Sequence, residues 1–141
     1  MRAVLQRAQR ASVHVNGELI SSFDSQGILA LVGVTHDDTQ NDVDTVVRKI
    51  AELRILDNEK SVTDMAAPVI VVSQFTLYAD VKKGRRPSWN NAAKPEVAEP
   101  LVQAVVEGLR ARGLDVGTGV FGADMKVELV NDGPVTIIVD S

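Results

Sequence analysis

From Ala11 to Val15, apolar and polar residues alternate with a period of two, the pattern of a strand with one buried face. Ala11-Ser12-Val13-His14-Val15 and Glu18-Leu19-Ile20-Ser21 flank Asn16-Gly17, the pair that most readily supplies the positive φ angles of a two-residue turn, so this segment predicts a β-hairpin. The alternation puts Val13 and Val15 on one face and His14 on the other, which makes His14 an exposed strand residue rather than a ligand or base. Ile28 to Val34 is a continuous apolar run of strand length, the mark of a strand covered on both faces.

After His36-Asp37-Asp38 the period changes. Val43, Val46, Val47, Ile50 and Leu53 recur at helical spacing, with Asp42, Asp44, Arg48, Lys49 and Glu52 between them. The acidic and Thr/Asn residues at the start of this helix suit the positive end of its dipole and can cap its free amides. A second helix is written by Pro95 to Pro100 and then Leu101, Val105 and Leu109, with Gly113 ending it and Pro100 either near its first turn or kinking it. Between the helices, Val69 to Tyr78 starts with β-branched residues and predicts a buried strand running into a polar end. Near the C-terminus, Lys126–Val130 and Val135–Val139 read as strands joined by a turn at Asn131-Asp132-Gly133-Pro134. Strands outnumber helices and do not alternate cleanly with them. The expected fold class is therefore mixed α/β: one compact domain over residues 1–141, with a mixed β-sheet or two stacked β layers and two main helices on one side.

Composition narrows the chemistry. A chain of 141 residues that is 45% hydrophobic supports one core. With no cysteine, disulfides, a thiol nucleophile and Cys-ligated zinc are excluded, and His14 and His36 are the only histidines, so neither a metal nor a cofactor is expected. No stretch is apolar for long enough to cross a bilayer and Met1 to Arg7 lacks the features of a secretory signal, so the expectation is a soluble cytoplasmic protein with no membrane partner. A net charge of −4 opposes nonspecific coating of nucleic acid, and no DNA partner is expected. Two local basic clusters remain: Lys82-Lys83-Gly84-Arg85-Arg86-Pro87, which Gly and Pro mark as a loop, and Arg2, Arg7 and Arg10. A charge cluster on its own is an ordinary solvated surface. Gly117-Thr118-Gly119-Val120-Phe121-Gly122 has the letters of a dinucleotide-binding loop, but Ala123 to Leu129 alternates like a strand instead of opening a helix. A turn or bulge is expected for these glycines.

Two places could carry chemistry. Ser73-Gln74-Phe75-Thr76 puts hydroxyls and an amide at a strand terminus, where they can face a pocket, yet a Ser or Thr nucleophile needs a base within reach, and neither histidine has a recognisable partner. Spacing alone makes them strand-end residues that satisfy local hydrogen bonds. Gly133-Pro134 is a bond that can be cis at a cost of only ~0.5–1 kcal/mol, and by itself it indicates a turn.

At these two places the chain resembles a known family, the D-aminoacyl-tRNA deacylases. The resemblance rests on Ser73-Gln74-Phe75-Thr76-Leu77 and Asn131-Asp132-Gly133-Pro134-Val135-Thr136, together with the opening Met1 to Ala8, the Lys83 to Ser88 loop and Phe121-Gly122-Ala123-Asp124-Met125. It spans nearly the whole chain. It implies a metal-free hydrolase that cleaves the ester of a D-aminoacyl-tRNA, and also of glycyl-tRNA, including glycine mischarged onto tRNA-Ala. It further implies a homodimer with active sites at the interface, where a cis Gly133-Pro134 enters the partner's pocket beside Ser73, Gln74, Phe75 and Thr76 and its carbonyl blocks an L side chain. On the same resemblance, main-chain donors bind the ester oxygen while the tRNA's terminal ribose hydroxyl or water assists, in place of attack by Thr76. Arg7 braces the Gly133-Pro134 segment, Phe121, Met125, Val135 and Thr136 belong to the pocket or its supports, and Lys82, Lys83, Arg85 and Arg86 guide the tRNA acceptor end. Two rival readings are a noncatalytic dimer that binds RNA ends and a metabolite-binding regulatory domain. One departure from the family is the short Asp57 to Asp64 segment, where a hairpin or edge strand is expected to be trimmed.

Overall fold

The computed structural model describes residues Met1–Ser141. Asn16 and Gly17 adopt φ angles of 50° and 79°, the pair of positive values that a two-residue hairpin turn needs. They fold β1 (Arg2–Val15) onto β2 (Glu18–Phe23), with Val15 opposite Glu18 as the Asn-Gly pattern predicts. The first half of β1 pairs antiparallel with β3 (Gly27–Gly33), from Arg2 opposite Gly33 to Ala8 opposite Gly27. β3, β4 (Val69–Ser73) and β5 (Val116–Thr118) are parallel, and parallel neighbours need crossovers. The helices supply them: α1 (Gln40–Glu52) lies between β3 and β4, and α3 (Pro95–Arg110) between β4 and β5. β6 (Met125–Asp140) runs antiparallel along the whole length of β1.

This six-stranded mixed sheet curls nearly into a barrel. Its ends meet where the Ser21 hydroxyl donates to the Thr118 carbonyl at 2.7 Å, joining β2 to β5. Gly117 permits that approach, since a Cβ there would lie 2.8 Å from Ser21 Cβ. The glycines with the letters of a dinucleotide-binding loop are thus structural: Gly117 sits in β5, and Gly122 takes a φ of 76° in the turn before β6.

Both faces of the central strands are buried. Leu5, Ile28, Val32, Val69 and Val71 face α1 and α3, meeting Val46, Ile50, Val105 and Leu109. Leu29, Ile70 and Val72 point into the curl and pack on Ala11 and Val13. Burying a side chain of this size contributes roughly 1.5–3 kcal/mol, so the fully enclosed β3 and β4 are the rigid centre on which the loops at their ends are mounted. No helix is long and apolar enough to cross a membrane.

Three expectations change in the folded chain, and the Asp57 to Asp64 segment takes a form the sequence did not specify. The strand begun at Val69 stops at Ser73, and Phe75–Tyr78 forms a 3-10 turn; the last ladder bond, Gln74 N–H to the Val32 carbonyl at 2.8 Å, comes where β3 itself runs out. Asn131 to Pro134 is no reversal. β1 is long enough to pair with both flanking segments, Arg10–Val15 with Met125–Val130 and Arg2–Gln6 with Thr136–Asp140, so the intervening residues bulge out of one continuous strand. The short Asp57 to Asp64 segment holds a 3-10 turn (Asp57–Glu59), closed by a Leu56–Lys60 bridge, and then a one-turn helix, α2 (Val62–Met65). Ser61 and Asp64 cap that helix reciprocally, at 3.0 and 2.9 Å. His14 is half-buried rather than exposed, flanked on β1 by the pairings to Leu19 and Lys126.

Candidate functional site

Where parallel strands end, the chain must turn away to helices on either side, and a crevice is left beyond their carboxyl ends. Here that crevice lies beyond β3 and β4. It encloses about 540 Å³ and is lined by Val34, Ser73, Gln74 and Phe75, by Trp89 and Ala92, by Pro95 and Ala98 at the start of α3, and by Phe121 to Met125. The volume suits a small organic group, and the walls are largely apolar. Of the residues singled out in the sequence, Ser73, Gln74, Phe75, Phe121 and Met125 come together in it. Thr76 adjoins the crevice without lining it, and its hydroxyl accepts a 2.5 Å hydrogen bond from the Gln74 side-chain amide.

No base attends Thr76. His36 is held at 2.6 Å from the Asn90 carbonyl, and His14 lies far along β1 opposite Lys126. Tyr78 is no base either: burial first, and then the nearby carboxylate of Asp38, push its phenol up to about 12. The polar residues in the crevice lining are Ser73, Gln74 and Asp124, and the 3-10 turn starts beside them. Phe75 and Thr76 begin the 3-10 turn, and their amides donate to no backbone carbonyl.

A second constellation surrounds the bulge of β6. The Gly133-Pro134 peptide is cis, and both residues are exposed. Arg7 holds the bulge from beneath: its Nε donates to the Asp132 carbonyl at 2.7 Å and its Nη1 to the Ile55 carbonyl at 3.0 Å, with the carboxylates of Asp132 and Asp57 at 3.7 and 3.9 Å. Asn131 spans the bulge, donating from Nδ2 to the carbonyls of Arg7 and Val135 at 3.0 and 3.1 Å. Gln26 completes the frame, with Nε2 donating to Asp132 Oδ2 at 2.7 Å and Oε1 accepting from the Asp57 amide at 3.0 Å. Sequence reading missed Gln26. Nothing in the local pattern marks it, because its partners are 31 and 106 residues away. Arg7, Pro134, Val135 and Thr136 line a shallow groove with the 54–59 turn, and that groove shares no residue with the crevice.

Within one chain the two constellations are far apart. The Phe75–Tyr78 turn is anchored at Arg2, whose Nη1 donates to the Leu77 carbonyl at 3.1 Å, whereas the bulge is anchored at Arg7. Five strand residues at ~3.3 Å each put roughly 16 Å between the anchors.

The basic loop is a distinct unit. Asp80 and Ser88 exchange backbone hydrogen bonds of 2.8 and 2.9 Å, and Lys82 to Arg86 between them are fully on the surface. The second cluster, Arg2, Arg7 and Arg10, does not form a patch: Arg2 pairs with Asp140 at 2.7 Å and lies 5.1 Å from the centre of the Tyr78 ring, and Arg7 is spent on the bulge. Asp140 also raises the pKa of Arg2, mainly by that hydrogen bond.

Comparisons with known proteins agree with this layout. Residues 4–140 match the model of the family described as D-Tyr-tRNA(Tyr) deacylase. The chain is 59% identical to a D-aminoacyl-tRNA deacylase of Kineococcus radiotolerans, with 100% of each chain covered. It is 57% identical to one of Mycolicibacterium smegmatis, with 99% of each covered. Among solved structures it superposes with a TM-score of 0.92 on a protein described as a c-Myc DNA unwinding element binding protein, at 43% identity over 100% of this chain and 99% of that one. A probable eukaryotic D-amino acid tRNA deacylase shares the fold, at a TM-score of 0.84 and 17% identity over 99% and 98%. With the family model covering nearly every residue, both constellations included, and full-length relatives above half identity, the chain belongs to the D-Tyr-tRNA(Tyr) deacylase family.

Proposed function

We propose that this protein hydrolyses the ester joining a D-amino acid to the 3′ end of a tRNA, in the cytoplasm, with residues 1–141 acting as one catalytic domain and two copies completing each active site. The observation that carries the reading is the separation of the two constellations. The crevice with Ser73 to Thr76 is open at its mouth, while Gly133 and Pro134 project from a braced bulge roughly 16 Å away along the sheet, so they can meet only between copies. Ile138 supports a dimer as well, standing 67% exposed on β6 beside Val4, which it faces across the strands. An apolar residue presented this way on a regular strand suits a contact with a second copy.

Chemistry follows from the groups at hand. Water attacks the ester carbonyl carbon, the bond to the ribose oxygen breaks, and that oxygen leaves with a proton, the neighbouring ribose hydroxyl serving as relay. The negative charge that develops on the carbonyl oxygen is met by main-chain amides at Phe75 and Thr76, which need no reorganisation when the charge appears. Thr76 is not the nucleophile, since its oxygen is bound to Gln74 and lacks a base. A main-chain carbonyl of the Gly133-Pro134 segment from the second copy occupies one side of the substrate's α-carbon, where an L side chain would collide; D residues fit whatever their side chain, and glycine passes. Arg7 and Asn131 hold the bulge that carries that carbonyl, through the carbonyls of Asp132, Arg7 and Val135, and Lys82 to Arg86 draw in the acceptor end through its phosphates. The same basic loop favours a second reading, a dimer that binds RNA ends without turnover.

The test is release of amino acid from D-Tyr-tRNA and L-Tyr-tRNA, side by side, in the presence of a chelator. Rapid loss of the D ester alone is expected; binding of both with turnover of neither moves the assignment to RNA-end recognition.

A further inference from the structure

Trp89 is the chain's single tryptophan, and it is 44% exposed. An indole is large and apolar and ordinarily finds cover, so an open one at the rim of a crevice calls for an occupant. It lines the mouth of the crevice whose inner end is Ser73 and Gln74, and it meets Phe75, itself 56% exposed, at 5.5 Å between ring centres and 74° between planes. An edge-to-face contact of this kind covers at most one face of one ring, leaving flat aromatic surface open.

The residue also follows directly on the basic loop. The Asp80–Ser88 bridge closes that loop immediately before Trp89, so the loop that carries Lys82, Lys83, Arg85 and Arg86 is tied at its base to the residue next to the indole. None of the four is engaged in an ion pair. In a chain of net charge −4 these free cations are a local exception. Flat aromatic surface next to unpaired cations is the combination that holds single-stranded nucleic acid: bases stack on the ring, phosphates meet the charges, and no base edge has to be read.

Resting on the deacylase reading above, we infer that Trp89 is a stacking platform for the unpaired base preceding the esterified nucleotide, with the Lys82 to Arg86 loop holding the phosphates that flank it. With the terminal nucleotide carrying its ester to Ser73 and Gln74, the next nucleotide back along the strand falls at the crevice mouth, where Trp89 stands. Recognition by stacking tolerates any base, so this contact adds affinity for the single-stranded end common to all tRNAs without choosing among them.

Because the chain has one tryptophan, its emission reports this residue alone. The trinucleotide 5′-CCA-3′ is expected to quench Trp89 emission and adenosine monophosphate to do so far less, and the trinucleotide's affinity should fall as salt rises. Arg85→Gln with Arg86→Gln should flatten that salt dependence. In turnover of D-Tyr-tRNA, Trp89→Ala should raise KM roughly tenfold with little change in kcat, and Trp89→Phe should recover most of the loss. A wild-type KM in an active Trp89→Ala enzyme overturns the inference and leaves the deacylase reading intact. Emission that varies with protein concentration and ignores the trinucleotide also overturns it, placing Trp89 between copies. Quenching by the trinucleotide in a protein that hydrolyses neither D- nor L-Tyr-tRNA removes the deacylase reading while the RNA-end site stands.

Discussion

The crevice at the end of β4 and the bulge in β6 are built by opposite means. The crevice is the open end of the hydrophobic core: Val32, Val72 and Val102 line it with Ser73, Gln74 and Asp124, and beside it a 3-10 turn starts with Phe75 and Thr76 amides that donate to no backbone carbonyl. The bulge lies on the surface with no core beneath its tip, and side-chain hydrogen bonds from Arg7, Gln26 and Asn131 hold its shape. A site made of backbone on a packed core withstands the loss of single polar side chains, whereas a loop held by a polar frame depends on each member of the frame. Reaction and selectivity should therefore fail separately.

The largest effect is expected at Arg7. Arg7→Ala strips two charge-assisted bonds from main-chain carbonyls and leaves Asp132 and Asp57 without their cation. A loss of about 3 kcal/mol in denaturant unfolding and a fall in discrimination between D- and L-Tyr-tRNA on the order of a hundredfold should result. Undiminished discrimination in that variant would detach the bulge from chirality.

Next is Gly133→Ala. Its Cβ would lie 2.6 Å from Asn131 Oδ1 and 3.1 Å from the Val135 amide, so either the tip or the Asn131 amide that spans the bulge must shift. Discrimination should drop roughly tenfold while the rate on the D ester changes less, a split that steady-state kinetics on the two esters would reveal.

Thr76→Ala tests the other side of the comparison. Losing only the bond from Gln74, it should lower kcat by less than about tenfold, against the many orders of magnitude that loss of a nucleophile costs. Complete inactivity of a folded Thr76→Ala dimer contradicts main-chain catalysis. Gln26→Ala should cost about 1 kcal/mol and loosen discrimination slightly, in proportion to one arm of the frame.

The smallest effect is a titration. Tyr78, the only tyrosine, should develop its phenolate absorbance near pH 12 instead of 10. Because its folded pKa is raised, the stability it contributes is fully present below pH 10 and is lost as pH rises through the folded value of about 12. A midpoint near 10 would mean that the turn beside the crevice is open to water.

Local pattern alone determined a good part of this molecule. The Asn16-Gly17 hairpin, the amphipathic stripe of Val43, Val46, Val47 and Ile50, and the doubly buried run from Ile28 all depend on neighbours within a few residues, and all are found in the fold. The two motifs that resemble a known family were likewise visible as strings of letters. Tertiary structure decided what those strings are next to. Whether Val69 to Tyr78 continues as a strand depends on where β3 ends, and whether Asn131 to Pro134 reverses the chain depends on β1 being long enough to pair on both sides of it. Gln26 gains its place, and Trp89 its exposure beside Phe75, only from segments brought together by the curl of the sheet. Backbone periodicity is short-ranged and can be read along the chain; pairing partners and pocket walls are long-ranged, and only the closed sheet brings them together.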